Sequence, residues 1–220
     1  MKKLLLVFLL MISCNTSNVP AGFSKIESIK PPIFLEIRYS GKDNFLGRTV
    51  RGYENPKNIL TNETIEALTI IQKILSKNGY GLKIYDGYRP QKSVDDFIEW
   101  SKKISDTLTK QKYYPDEKKD SLFFKGYIAE KSGHSRGSTV DVTLIYTDSL
   151  NFGKELDMGS EWDFFGKKSW INYDSITELQ KNNRNYLQTI MNQNGFRSYS
   201  KEWWHFTLSN EPFPNTYFDF

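Results

Sequence analysis

The sequence predicts a single compact domain of the α+β class, in which helices flank a central antiparallel sheet. Helical and strand-like segments interleave irregularly along the chain, and short strands carry the β-prone residues. The 220 residues match the length of one sizeable domain. A content of 38% hydrophobic and 15% aromatic residues is enough to bury a core. Global disorder is therefore excluded.

The N-terminal residues predict a targeting signal. Two lysines follow the first methionine, and an apolar run over residues 4–12 leads to Ser13 and Cys14. A basic start, a short apolar run and a small residue at the cleavage point are typical of a bacterial secretory signal, and the run is too short for an ordinary transmembrane helix. The segment resembles a lipobox, although Met11 stands where Leu is usual.

We therefore expect three parts: a lipoprotein signal peptide over residues 1–13, a lipidated tether over residues 14–22 and a folded domain over residues 23–220. The tether is rich in Ser, Asn and Thr, as suits a spacer. Lipidation of Cys14 would hold the domain on the periplasmic side of a bacterial membrane. The alternatives are a plain signal peptide with a chance cysteine, and an uncleaved anchor.

Charge and cysteine content exclude several classes of protein. The net charge is +4 without a basic tract, which is too weak for a dedicated nucleic-acid binder. Cleavage after residue 13 removes two lysines and leaves +2, so we expect membrane contact only through the lipid. One cysteine excludes an internal disulfide framework and a cysteine-based zinc ribbon.

The first predicted elements are a helix, a strand and a turn. The helix begins at Thr61 or Asn62, both good N-caps, and ends at residues 78–79, Asn-Gly. Its apolar stripe is expected in the core. A short strand follows over residues 82–85, and the Asp-Gly-Tyr-Arg-Pro sequence of residues 86–90 is a turn.

The remaining elements follow from capping and periodicity. A second helix opens with a capping-box pattern at residues 93–96, and the polar stretch 102–131 is a long connection or lid. Residues 139–144 alternate apolar and polar side chains, which indicates a half-buried strand. A third helix starts with a capping box at residues 175–178, and the aromatic segment 203–208 is a strand.

Both histidines of the chain lie in segments that also carry an acid. His134 sits in a Gly/Ser-rich loop seven positions before Asp141, and His205 follows Glu202 by three positions. Two imidazoles and a carboxylate, with an open position for water, are the pattern of a catalytic zinc site. Glu202 would then be free to act as a base.

The spacing of Glu202 and His205 sets a geometric condition. Residues i and i+3 share one face of a helix but oppose each other on a strand. Since this segment is predicted to be a strand, Glu202 has to lie in a bend just before it. Each piece taken alone is an ordinary loop or surface acid, whereas the combination predicts a metal site.

Three segments together resemble the VanX-type zinc D-alanyl-D-alanine dipeptidases of peptidase family M15. They are residues 132–141, the Glu-Trp-Trp-His sequence at 202–205 and the turn at 86–90. The resemblance extends over about residues 33–220 and implies a small α+β zinc-peptidase fold. Gly133 is a mild departure, because a second serine is common there.

The resemblance implies a role for each site residue. His134, Asp141 and His205 would hold one Zn²⁺ per chain. Glu202 would take a proton from the attacking water and pass it to the leaving amine, and Arg89 would stabilise the tetrahedral oxyanion.

It also implies a small D,D-dipeptide as the substrate. Asp163 aligns with the acid that meets the substrate ammonium, and Ser132 and Tyr39 align with substrate-contacting positions. We expect hydrolysis of D-Ala-D-Ala to two D-alanines outside the cytoplasm, in salvage or trimming, because a tethered enzyme cannot drain the cytoplasmic pool. The alternatives are a D,D-carboxypeptidase that trims peptidoglycan stems and a non-catalytic peptidoglycan-binding lipoprotein.

Overall fold

A mixed five-stranded sheet forms the centre of the molecule in the computed structural model, which describes residues 19–220. The strands, in chain order, are β1 (Phe23–Lys25), β2 (Phe34–Leu35), β3 (Ile59–Thr61), β4 (Tyr80–Asp86), β5 (Thr139–Tyr146), β6 (Phe196–Tyr199) and β7 (Glu202–Leu208). The central sheet has the spatial order β2-β4-β5-β7-β6, and β1 pairs with β3 in a separate ribbon. Its pairs are antiparallel except β2 with β4, a two-residue parallel edge. The predicted α+β fold with a central antiparallel sheet is therefore confirmed.

Four α-helices accompany the strands in the described part of the chain: α1 (Asn62–Lys77), α2 (Gln91–Lys102), α3 (Lys110–Tyr113) and α4 (Glu178–Gln193). Helix α1 packs against β4, and α4 packs against β5, β6 and β7. As predicted, the stripe of Leu68, Ile71 and Leu75 on α1 lies in the core. None of the helices within residues 19–220 is long and apolar enough to cross a bilayer.

The predicted signal peptide over residues 1–13 and the lipidated Cys14 lie outside the described residues. The tether is described only from residue 19 onward. Lipidation and cleavage therefore stay predictions.

Two predicted helix starts were wrong by two or three residues. Helix α2 begins at Gln91, directly after Pro90, and Ser93 is not its cap because the hydroxyl of Ser93 donates to the carbonyl of Arg51 (2.6 Å). Helix α4 is capped by Thr177, whose hydroxyl accepts from the backbone N–H of Gln180 in a capping box. At α4, Ser175 and Thr177 offered competing caps, whereas at α2 the one serine near the start is engaged by a tertiary contact.

The prediction of a half-buried β5 was also wrong. Its polar residues Thr139, Asp141 and Thr143 are as buried as its apolar ones. The neighbouring strand and a covering loop supply partners: Thr139 shares a hydrogen bond with Thr207 on β7 (2.9 Å), and Trp162 in the loop after β5 donates to Asp141 (3.3 Å). Alternation shows where polar residues point, but not whether a loop covers them.

The connection over residues 102–131 is an ordered wall around two buried or half-buried lysines. The ammonium of Lys110 donates to three backbone carbonyls between residues 114 and 117. That of Lys119 donates to the carbonyls of Lys103 and Asp106 and lies 3.7 Å from the ring centroid of Trp100. These contacts fix the wall whose last residues line the cleft described below.

The C-terminal segment ties two loops together. The backbone N–H of Phe218 donates to the carbonyl of Ser135 (2.9 Å), and its carbonyl accepts from the N–H of Gln91 (3.1 Å). The N–H of Phe220 donates to the hydroxyl of Tyr88 (2.8 Å). The loop before β5 and the turn after β4 are thereby held at a fixed separation.

Gly137 closes the loop before β5 and provides a stability test. Its φ is +79°, and a Cβ there would lie 2.2 Å from Cε1 of Phe23. Gly137→Ala is expected to lower the free energy of unfolding by about 2–5 kcal/mol, from left-handed strain and overpacking together. Gly79→Ala is the matched control, because φ of Gly79 is +77° and an added Cβ would meet no atom within 4 Å. This variant should lose about 1–2 kcal/mol of unfolding free energy. Equal losses in urea unfolding would contradict this prediction.

Candidate active site

Three polar residues lie side by side across the central sheet. Asp141 on β5 pairs with Asp86 on β4 and with His205 on β7. Residues directly opposite each other on paired strands point to the same face. The sheet therefore presents carboxylate, carboxylate and imidazole in one row.

His134 approaches this row from a 3₁₀ turn over Gly133–Arg136. The hydroxyl of Ser132 accepts from the backbone N–H of His134 (3.3 Å) and caps the turn. The ring Nδ1 lies 2.8 Å from the carbonyl of Gly87. Because a carbonyl only accepts, Nδ1 carries the proton and Nε2 is left with a free lone pair.

The side chains of His134, Asp141 and His205 form a triangle of potential ligands. Asp141 Oδ1 lies 3.2 Å from His134 Nε2 and 3.1 Å from His205 Nδ1, and the two nitrogens are 3.4 Å apart. Tetrahedral coordination at the usual zinc–ligand distances separates ligand atoms by about 3.3–3.4 Å. Two imidazoles and one carboxylate at this spacing fit Zn²⁺, and all three residues line the cleft described below.

The ionisation of Asp141 suits a ligand. Burial acts to raise the pKa of this carboxyl, but His134 and His205 together hold it well below its ordinary value. The carboxylate is therefore charged, as metal binding requires.

Glu202 reaches the same place through an irregular strand. It opens β7 and pairs with Tyr199, whereas Phe206 pairs with Ser198. Four residues of β7 therefore span the distance of one residue of β6, which is an irregularity in the strand pairing. This irregularity interrupts the alternation of side chains and places Glu202 and His205 on the same side of the sheet. Glu202 Oε2 lies 3.5 Å from His205 Nδ1. The bend that the sequence required lies inside the strand itself.

The pKa of Glu202 lies well above that of an ordinary glutamate. Burial raises it to about 7, with a further rise from Asp141 and an opposing effect from His205. A half-buried carboxyl with a pKa in this range is able to exchange protons near neutral pH.

Arg89 is held by a carboxylate that the sequence analysis did not identify. Its Nε and Nη2 donate to Asp86 Oδ2 at 2.9 and 2.7 Å, and the hydroxyl of Tyr53 donates to Asp86 Oδ1. The guanidinium lies 5.1 Å from the ring centroid of Tyr39 and 3.9 Å from Asp141 Oδ2. Asp86 begins the turn that ends in Arg89-Pro90, so its three-residue spacing from Arg89 could have predicted this ion pair. No sequence pattern indicated that Tyr53 would bind Asp86.

Asp163 lines the cleft in a left-handed backbone conformation. It is 6% exposed, its φ is +62°, and Oδ2 accepts from the hydroxyl of Tyr39 (2.7 Å). Burial raises the pKa of Asp163 well above its ordinary value, although Tyr39 opposes the rise. A non-glycine residue at positive φ persists only where the surrounding structure enforces it, commonly at functional sites.

The loop that carries Asp163 is clamped by Arg184 of α4. This buried guanidinium donates to the carbonyls of Met158 (2.6 Å), Lys168 (2.8 Å) and Trp170 (2.8 Å). The position of the loop is therefore fixed by Arg184, a residue that no sequence pattern marked as functional.

One cleft of about 280 Å³ brings the predicted site residues together. Its lining includes every predicted ligand, base and substrate contact within the described residues: Tyr39, Arg89, Ser132, His134, Asp141, Asp163, Glu202 and His205. Residues 126–129 close one side. The volume lies just below the roughly 300–1,000 Å³ of pockets for drug-sized ligands, so the cleft suits a small molecule.

Comparison with known proteins places the chain in a family. A family model of peptidase M15, described as D-Ala-D-Ala dipeptidase, matches residues 20–220. The chain belongs to this family. The resemblance on which the sequence analysis relied is thereby confirmed, as is the prediction that the protein is a peptidase.

Curated relatives support the same placement. D-alanyl-D-alanine dipeptidases of Enterococcus faecium and Streptomyces coelicolor are 40% and 39% identical over 90% of this chain, and the matches cover 97% and 96% of those proteins. The Escherichia coli D-alanyl-D-alanine dipeptidase is 31% identical over 82% of this chain and 81% of its own length. Among solved structures, a D,D-pentapeptidase VanY in complex with Zn(II) gives a TM-score of 0.37 at 16% identity, over 71% of this chain and 76% of that one. That likeness is too weak to bear on function.

The Asp86–Arg89 pair provides a test of the site's electrostatics. Asp86→Asn leaves a buried guanidinium without its charged partner and is expected to cost about 3–5 kcal/mol of unfolding free energy. Glu99→Gln is the control, because Glu99 pairs with Arg51 at the surface, and should cost about 0–1 kcal/mol. The measurement is urea unfolding with a chelator present, and similar losses for the two variants would refute the prediction.

Proposed function

We propose that the protein hydrolyses the free dipeptide D-Ala-D-Ala to two D-alanines with the help of one zinc ion per chain. One observation carries the proposal: a zinc-compatible triangle, a neighbouring half-buried glutamate and a buried aspartate line the same small cleft. Membership of the D-Ala-D-Ala dipeptidase family supports this substrate.

His134, Asp141 and His205 would hold the metal. When bound, zinc supplies polarisation of the scissile carbonyl and a water nucleophile near neutral pH. The protein fixes the ligand set beforehand, since His134 is oriented by the carbonyl of Gly87 and Asp141 lies directly opposite His205.

Glu202 serves as the general base and then as the general acid. It lies beside the ligand triangle, 3.5 Å from His205 Nδ1, and lines the cleft. From there the carboxylate takes a proton from the attacking water and delivers it to the leaving amine. Proton transfer of this kind contributes about 10²–10⁴ in rate.

Arg89 stabilises the negative charge that develops on the carbonyl oxygen. Its two hydrogen bonds to Asp86 fix the plane of the guanidinium before the substrate arrives. A fixed cation costs little reorganisation when charge develops, which is the basis of oxyanion stabilisation.

Asp163 anchors the substrate ammonium, and Tyr39 and Ser132 contact the rest of the dipeptide. A buried carboxylate of raised pKa is relieved by a cation placed against it. An acylated amine carries no such charge, so it would leave the buried Asp163 carboxyl without an ionic partner. The arrangement therefore favours a dipeptidase over a carboxypeptidase.

The assay that tests this proposal compares two substrates with one purified, zinc-loaded enzyme. We expect D-alanine release from D-Ala-D-Ala, and at least about 100-fold slower release from N-acetyl-D-Ala-D-Ala, because the amine site would be left unpaired. Glu202→Gln should reduce release by about 10²–10⁴ while retaining bound zinc.

Other outcomes of the assay identify the alternatives. Comparable rates on the two substrates would reject the ammonium anchor and indicate a D,D-carboxypeptidase. Release from neither substrate would indicate a peptidoglycan-binding protein without catalysis.

We further propose that the enzyme acts outside the cytoplasm, tethered through Cys14. The apolar run over residues 4–12 and the cysteine at position 14 support this location. In that compartment the substrate would be D-Ala-D-Ala released during salvage or trimming of the cell wall.

Location is tested by fractionation and metabolic labelling with a radioactive fatty acid. We expect labelled protein in the membrane fraction without residues 1–13, and loss of the label in Cys14→Ala. Full-length protein in the soluble cytoplasmic fraction, with Met1 retained, would refute the proposal.

A further inference from the structure

We infer that the indole of Trp162 positions the ligand Asp141 and thereby sets the affinity of the site for its metal ion. The inference rests on the proposed function, because the metal site is the one proposed there. It assigns Trp162 the role of a positioning residue, which acts through Asp141 and touches neither metal nor substrate.

The two oxygens of Asp141 have different partners. Oδ1 faces the imidazoles at 3.1 and 3.2 Å, whereas Oδ2 accepts the indole N–H of Trp162 at 3.3 Å. Arg89 Nη2 is farther from Oδ2, at 3.9 Å, and is engaged with Asp86. The terminal torsion of an aspartate is soft, so a donor on Oδ2 selects the rotation in which Oδ1 alone points at the metal position.

The indole itself has little freedom to move. Trp162 is 1% exposed, and its ring centroid lies 5.0 Å from that of Tyr39 and 5.5 Å from that of Tyr85. The guanidinium of Arg38 lies 5.8 Å from the same ring. A hydrogen bond from a side chain packed this closely holds its acceptor in one orientation.

The same residue links the metal ligand to the substrate anchor. Trp162 immediately precedes Asp163, and Tyr39 both packs on the indole and donates to the Asp163 carboxylate. One loop therefore fixes the carboxylate that binds the metal and presents the carboxylate that meets the ammonium.

Trp162→Phe tests the inference, because it keeps an aromatic ring in the core and removes the N–H. Loss of a hydrogen bond to a ligand typically costs 10–100-fold in metal affinity, and we expect a rise of about that size in the zinc Kd measured by chelator competition. The visible spectrum of the cobalt-substituted protein should change as well, because the Asp141 orientation is no longer fixed.

Trp203→Phe is the matched control. Its indole N–H donates to the hydroxyl of Ser160 (2.9 Å) and not to a metal ligand, and the residue is 2% exposed. This variant loses a buried indole hydrogen bond of similar kind, so its zinc Kd should match that of the wild type. A second substitution at position 162, β-(3-benzothienyl)alanine, keeps the indole shape without the N–H and repeats the test if phenylalanine does not fold.

The outcomes separate the inference from the proposed function. A zinc Kd unchanged by both substitutions at position 162 overturns the inference and leaves the dipeptidase proposal standing. Equal losses in Trp162→Phe and Trp203→Phe also overturn it, because they indicate a general packing effect. A wild-type protein that binds no zinc overturns both.

Discussion

Asp141 faces His205 across two antiparallel strands, β5 and β7, and the rest of the site is arranged around that register. A slip of one residue would turn every side chain of a strand to the other face. The register is fixed from both faces: Thr139 and Thr207 share a hydrogen bond on the polar face, while Val140 and Phe206 lie in the core. Packing and chemistry therefore depend on one pairing, and a change that disturbs the sheet disturbs the metal site with it.

Negative charge is concentrated around the cleft. Asp86, Asp141 and Asp163 are buried, Glu202 is half-buried, and Arg89 lies among them in an ion pair with Asp86. Burial raises the pKa of Asp163 and Glu202 because a desolvated carboxylate is costly without a cation nearby. The dipeptidase proposal supplies two cations, a metal ion beside Asp141 and an ammonium beside Asp163. The excess of carboxylates in the cleft is therefore complementary to the metal ion and the substrate ammonium of the proposed reaction.

Much of the site was predictable, because its key residue types are rare in this chain. Two histidines, each near an acid, leave few ways to build a metal site. The supporting contacts were not predictable: the Asp86–Tyr53 hydrogen bond, the donation from Trp162 and the break in β7 all join segments distant in sequence. The same reason explains the error on β5, whose polar face is covered by loops that no local pattern reveals. The periodicity of apolar residues predicted the helices and strands, whereas contacts between distant segments determined which of their side chains are buried.

Gly133 is the position where the sequence departs from the serine that is common in VanX-type dipeptidases, and packing accounts for the departure. A Cβ at this position would lie 2.6 Å from Oγ1 of Thr139. That hydroxyl is fixed by its hydrogen bond to Thr207, within the pairing of β5 with β7. A side chain at 133 would therefore press on the strand pair that aligns Asp141 with His205. Packing against Thr139 therefore explains why glycine, rather than serine, occupies this position.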